Sequence, residues 1–256
     1  MPTNLPARVD LTRSGRALRE IAMHSTAALN SPDLPGLTAA LRTDDWFASC
    51  PETLRHALLS HAVRRRLAAG EALFARGSDA DGLYCVIAGA LRIGAGDAAG
   101  QAVVLAYLES YQWFGEISLI DGRPRTHDAV ADVASEVLVV PRTVLLAWLA
   151  SHPAHWQHMA RLVCRKLRVA FTVLEELAQL PLEERILRRL QLLAAGYGSR
   201  DLARRRVRVA QEVLARMLGV SRQSANKALK QLEARGALRL HYAEIELLGS
   251  EDDGRS

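Results

Sequence analysis

"QEVLARMLGVSRQSANKALKQLEARG", Gln211 to Gly236, decides how the chain reads. The apolar spacing predicts a short helix over Gln211 to Leu218, stopped by Gly219, because glycine takes the left-handed conformation that ends a helix without strain. Ser221 is placed to cap a second helix, Arg222 to Arg235. Ala215, Leu218, Val220, Ala225, Leu229 and Leu232 supply the contacts between the two. Two short helices joined by so tight a turn are a helix-turn-helix. The first turn of the second helix carries Arg222, Gln223, Ser224, Asn226 and Lys227. Arginine can take guanine O6 and N7 together, and glutamine or asparagine can take adenine N6 and N7. Ser221, Ser224, Gln211 and Lys227 can hold phosphates. "ALRLHYAEIELL", residues 237 to 248, reads as a two-stranded wing.

An ordinary helical hairpin would share much of this pattern, so charge has to decide. The whole chain is +5, but residues 185 to 240 alone carry +11 and the remainder −6. A basic third on an acidic body is the electrostatic footprint of a nucleic-acid-binding module on a neutral or sensing partner, or a solvated arginine-rich surface; together with the polar helix start it favours double-stranded DNA. The length of 256 residues suits two domains, and 49% hydrophobic with 24% charged residues suits a globular chain. The longest apolar run, 137 to 150, is broken by Pro141 and Arg142, so no membrane span is expected. Cys50, Cys85 and Cys164 are odd in number and scattered, and the N-terminus lacks an apolar leader core. Both point to a reducing, cytoplasmic setting.

Upstream, residues 1 to 37 read as a tail or linker, with a short amphipathic piece at Ser14 to Leu29. From His61 to Val140 short apolar runs alternate with turns, the pattern of a small antiparallel barrel or sandwich. "GAGDAA", Gly94 to Ala99, mimics a dinucleotide fingerprint. The next segment, Gln101 to Leu108, reads as a strand and not a helix, which makes Gly94 to Ala99 a hairpin loop. "WFGEISLIDGRPRTHDA", Trp113 to Ala129, puts Glu116 and Arg125 on either side of a turn. They either hold a ligand or pair with each other. After Pro153, Trp156, Ala160, Val163, Leu167, Ala170, Leu174 and Leu177 recur alternately four and three residues apart. That is a coiled-coil seam, and it predicts a homodimer. Met159, Leu162, Val169 and Val173 form a second apolar row beside it. Pro181 ends this helix, and a further helix is expected from Leu182 to Tyr197.

With "GEALFARG" at 70 to 77, "FGEISLIDGRPRT" at 114 to 126 and "SRQSANKALKQLEARG" at 221 to 236, the chain resembles the Crp/Fnr family of bacterial transcription regulators over residues 38 to 249. The resemblance implies an α+β protein. Its parts would be a cyclic-nucleotide-binding, jelly-roll-like β-roll at 38–152, a dimerisation helix at 153–180, a winged helix-turn-helix at 181–250 and a tail at 251–256. It implies a homodimer on a palindromic operator, with RNA polymerase as a partner and a cyclic nucleotide such as cyclic AMP as effector. Carried over residue by residue, Gly115 and Glu116 would meet a ribose hydroxyl, and Arg125 and Thr126 the cyclic phosphate. Ala170 and Phe171 stand where the cyclic-AMP receptor has its adenine-contacting Thr-Ser pair.

The chain departs from that family in several places. His127 and Asp128 replace an alanine and a small hydroxyl residue; Ala170 and Phe171 lack the hydroxyls; the usual Arg-Glu of the recognition helix is Arg222-Gln223, with Lys227 for a later arginine. Three scattered cysteines cannot supply the four ligands of an iron–sulfur sensor. His152, His155 and His158 are spaced for a metal or haem only in part, since the third lies well around a helix, and Cys164 beside Val163 reads as a packed thiol. No nucleophile, base and orienter occur together, so an enzyme is not expected. Two further readings stay open. One is the same DNA-binding regulator with another effector or none. The other is a nucleotide-binding module acting on a protein partner.

Overall fold

The computed structural model describes residues 34–96, 102–196, 205–242 and 244–248. The amphipathic piece expected at Ser14 to Leu29 lies outside them. Three short helices come first: α1 (Leu34–Leu41), α2 (Asp45–Ser49) and α3 (Glu52–Ser60). None was singled out from the sequence. Asp44 caps α2 by accepting from the Phe47 N–H, a local bond that a 5-residue helix needs more than periodicity.

Eight strands then form two antiparallel sheets. Strands β1 (Val63–Leu67), β8 (Ser135–Pro141), β3 (Gly82–Ala88) and β6 (Trp113–Phe114) lie side by side in one. Strands β2 (Ala72–Phe74), β7 (Asp128–Ala131), β4 (Leu91–Gly96) and β5 (Ala102–Leu108) form the other. The period-2 alternation of a strand sends successive side chains to opposite faces. Tyr84 and Val86 of β3 and Val137 and Val139 of β8 therefore face a core shared with the second sheet, with Leu91, Leu108 and Phe114. Leu83, Cys85, Leu138 and Val140 face the other way, onto a helical layer. Burial on both faces explains why β3 and β8 read as continuous apolar runs. Gly94 to Gly96, expected in a hairpin loop, lie in β4 and pair antiparallel with β5; the rest of that stretch lies outside the described residues.

The helical layer is closed by α5 (Arg142–Ser151) and the start of α6 (Trp156–Gln179), which a single 3-10 turn, Pro153–His155, joins. Trp113 sits at its centre, fully buried, stacked on Phe47 at 5.5 Å and edge-on to Trp46 at 5.4 Å. Met159 and Leu162 of α6 are buried in the same layer. Much of the expected seam is not covered by its own chain: Leu167, Leu174 and Leu177 are 46–60% exposed, as is Phe171 beside them; Trp156, expected at the head of the seam, packs instead against the helical layer of its own chain. The start of α6 thus packs the home domain through Met159, Leu162 and Trp156, and the later part of the seam row is left free. Helix α6 stops just before Leu180-Pro181. No helix among the described residues is long and apolar enough to cross a membrane.

Beyond it come α7 (Leu182–Ala194), β9 (Arg206–Val207), α8 (Gln211–Met217), α9 (Arg222–Ala234), β10 (Leu238–His241) and β11 (Glu244–Leu247). The helix-turn-helix and both wing strands stand where the sequence puts them. Strand β9, which pairs with β11, was not foreseen; two residues carry no period to read. This C-terminal unit docks on the roll of its own chain. Strand β5 packs on α8, and Ala90, Val104 and Tyr107 join one buried cluster with Val213, Leu214 and Met217. The Gln112 side-chain amide donates to the Gly196 carbonyl across the same junction.

Trp113→Ala empties a site walled by two other aromatic rings that cannot collapse onto it. The loss expected is about 3–5 kcal/mol of unfolding free energy, measured by urea titration.

Candidate functional site

Helix α4 (Glu116–Asp121) follows Gly115, whose φ of +90° only glycine adopts without strain. A Cβ there would also meet the Arg125 Nη1 at 3.0 Å and the Tyr84 ring at 2.9 Å, so the glycine is needed for space as well. Arg125 is 3% exposed. Its Nη1 donates to the Gly115 carbonyl at 2.9 Å, and its Nη2 donates to Asp81 Oδ1 at 2.8 Å and to the Gly82 carbonyl at 2.9 Å. The guanidinium also lies over the Phe74 ring at 4.4 Å and near the Tyr84 ring at 5.2 Å. Its Nε is buried without a partner. The Tyr84 hydroxyl donates to the same Asp81 oxygen, and burial first, then the Asp81 charge, pushes its pKa well up.

Glu116 is 2% exposed and does not pair with Arg125. Its Oε2 instead accepts from Lys166 Nζ on α6 at 2.7 Å. The structural alternative for Glu116 and Arg125 is therefore not what the structure contains: each has its own partner. Asp81, Tyr84 and Lys166 are the site residues that sequence reading missed. Asp81-Gly82 read as a turn, and a lysine on a charged helix carries no signal of its own. Next to Lys166, Arg165 reaches back to the buried Asp44 at 2.9 Å. Burial raises the Asp44 pKa despite this partner.

Thr126 is exposed, and its hydroxyl shares a hydrogen bond of 2.9 Å with His127 Nδ1. Burial lowers the His127 pKa. Asp128 accepts from the Arg76 backbone N–H at 2.7 Å, which gives its carboxylate a partner of its own. Ala170 and Phe171 are both exposed on α6. Cys164 is exposed and not packed within its own chain as the sequence suggested, because it lies about 100° around α6 from Val163, on the side away from the row of Met159 and Leu162. His152, His155 and His158 form no metal-holding group among the described residues. His152 stacks on Trp148 at 4.3 Å, His155 lies against both, and His158 is buried, its pKa lowered by desolvation.

The helix-turn-helix presents a second surface. Ser221 Oγ accepts from the Ser224 N–H at 3.1 Å and caps α9. Arg222, Gln223, Ser224 and Lys227 are exposed along the start of that helix. Asn226 is half-buried, and its amide donates to Gln211 Oε1 at 3.3 Å. That bond ties α9 to the first turn of α8, beside the apolar contacts of Leu214, Leu218 and Leu229. Glu212 beside them is held below its ordinary carboxylate range by its hydrogen bond from Arg216, with Arg222 and Arg92 adding to it.

The chain matches the cyclic nucleotide-binding domain over residues 64–152 and the Crp-like helix-turn-helix domain over residues 184–251. It is 30% identical over 184 residues to a CRP-like cAMP-activated global transcriptional regulator of Mycobacterium tuberculosis, covering 71% of this chain and 82% of that protein. It is 30% identical over 190 residues to the cyclic AMP receptor protein of Thermus thermophilus, covering 74% and 85%. Among solved structures it is similar to the c-di-GMP responsive global regulator CLP of Xanthomonas campestris. There the TM-score is 0.63 at 25% identity, covering 78% of this chain and all of that one. With both domains matched in order on one chain, the protein belongs to the Crp/Fnr family of DNA-binding transcription regulators.

Proposed function

We propose that the protein is a homodimeric regulator that reads a palindromic operator with Arg222 and Gln223 and takes a cyclic nucleotide at Gly115, Glu116, Arg125 and Thr126. The observation that carries the effector part is the environment of Arg125: a buried guanidinium with an unpartnered Nε, next to a glycine turn. Such a group suits a phosphate, and a turn glycine lets the ligand approach the backbone. Phe171 would replace a hydroxyl contact to the base by stacking. An effector held between the roll and α6 would shift the population toward the dimer geometry whose recognition helices match two successive major-groove half-sites. RNA polymerase, implied by the family, is the partner to be reached from there.

The internal partners of Glu116 and Arg125 favour a second reading, in which the cassette is architecture and the regulator works without a nucleotide. Calorimetry separates the two. Under the first reading, cyclic AMP, cyclic GMP or cyclic di-GMP gives heat with the wild type and none with Arg125→Leu. Under the second, none of the three gives heat although the operator binds tightly.

Dimerisation is assigned to Trp156, Ala160, Val163, Leu167, Ala170, Leu174 and Leu177, motivated by the large exposed apolar residues along this line. Asp at both Leu167 and Leu174 would bury unpaired charge in the seam. Sedimentation should show a folded monomer at micromolar concentration, and a persisting dimer would rule the seam out.

Base reading is tested on a selected operator. Arg222→Ala should cost about 1–3 kcal/mol and relax preference at one base pair. Lys227→Ala should weaken all sequences alike if Lys227 holds a phosphate. Equal operator affinity of wild type and Arg222→Ala would count against the docking.

A further inference from the structure

We infer that Asp81 is a built-in competitor for the effector's phosphate: it holds the Arg125 Nη2 in the ligand-free chain and must give it up when an anionic ligand binds. The inference rests on the reading of Arg125 as a phosphate site. It adds a residue that sets how strongly that site takes its ligand.

The four acceptors around Arg125 are not equivalent. The carbonyls of Gly115 and Gly82 are fixed, one by the left-handed turn before α4 and the other by the start of β3, where Gly82 pairs with Pro141. The Tyr84 hydroxyl lies at 3.4 Å on a fully buried ring. Asp81 differs, since its side chain is 30% exposed and turns on two torsions. It is the one acceptor that can swing out to solvent while the others keep their places.

The geometry of the guanidinium names what would replace it. Nε and Nη2 form one edge of the planar group and suit two oxygens of one phosphate. Here Nη2 is taken at 2.8 Å by Asp81, and Nε, though buried, has no partner. A phosphodiester taking both nitrogens would satisfy the orphan donor and claim the position Asp81 now holds. Two anions at one cation repel, so the carboxylate opposes the ligand by charge as well as by place.

The consequence runs against ordinary intuition, because removing a charged residue from the site should strengthen binding. Asp81→Asn keeps the shape and the oxygen that accepts from Tyr84 and Arg125, and removes only the charge. Calorimetry with cyclic AMP, cyclic GMP and cyclic di-GMP should give a Kd about tenfold lower for Asp81→Asn than for the wild type. The melting temperature of the ligand-free variant should fall, since Arg125 loses its counterion, and added ligand should raise it more than in the wild type. Tyr84→Phe removes the hydroxyl that steadies Asp81. It should shift affinity in the same direction by a smaller factor, and it decides the matter if Asp81→Asn does not fold.

A wild type that binds, with both variants binding equally or more weakly, overturns the inference and leaves the phosphate site standing. In that case Asp81 positions Arg125 instead of competing for it. No heat from any of the three nucleotides with the wild type, Asp81→Asn and Tyr84→Phe alike would overturn the phosphate site itself, and the inference with it.

Discussion

A guanidinium can be buried only where acceptors and flat ring faces replace the water it has lost. Arg125 meets that demand by gathering separate parts of the roll around itself. Asp81 and Gly82 come from the start of β3, Gly115 from the turn before α4, and the rings of Phe74 and Tyr84 from β2 and β3. Its own backbone is held too, since its N–H donates to the Ser78 carbonyl and its carbonyl accepts from the Gly77 N–H, both at 2.8 Å. One cation thus fixes the shape of the turn, the glycine that the turn requires and the beginning of the neighbouring strand. The turn is organised by the chain's own groups, so the proposed effector would have little ordering entropy to supply.

Two buried carboxylates tie the long helix to that arrangement. Neighbouring residues on a helix point about 100° apart. Arg165 reaches Asp44 in the helical layer while Lys166 reaches Glu116 on α4. The Trp46 indole adds a third tie by donating to the His158 carbonyl at 2.6 Å. Helix α6 therefore has its rotation set relative to both the layer and the turn. A displacement of α4 pulls directly on the helix that carries the exposed seam. Under the proposed dimer, the Lys166–Glu116 pair is the physical link by which the turn would reach the seam, with no unfolding needed.

The parts legible from sequence were those that repeat or that need a special residue. The helix-turn-helix was readable because Gly219 and Ser221 each have a conformational or capping duty that other residues perform poorly. The two apolar rows of α6 were readable because a helix of 24 residues gives the period room to show itself. Strand β9 and helices α1 to α3 were not, because short elements are held by neighbours distant in sequence. Within the site, Glu116 and Arg125 stood out beside their turn. Their true partners, Lys166 and Asp81, lie 50 and 44 residues away and could not be matched by spacing. Asn226, read as a DNA-contacting residue, bonds Gln211 15 residues away, a partner that its place on the helix start does not point to.

The junction between β5 and α8 bears on how the molecule comes apart. Ala90, Val104 and Tyr107 from the roll share a core with Val213, Leu214 and Met217, so neither half completes its apolar packing alone. Tyr107 is also fastened to Asp132, which Arg92 pairs at 2.8 Å, so the roll's side of this junction is stiff. Two domains joined by a bare linker would melt in two steps. A shared core couples their unfolding into one cooperative event. In this protein, heat that loosens the roll is expected to loosen the helix-turn-helix unit with it, as one calorimetric transition and not two.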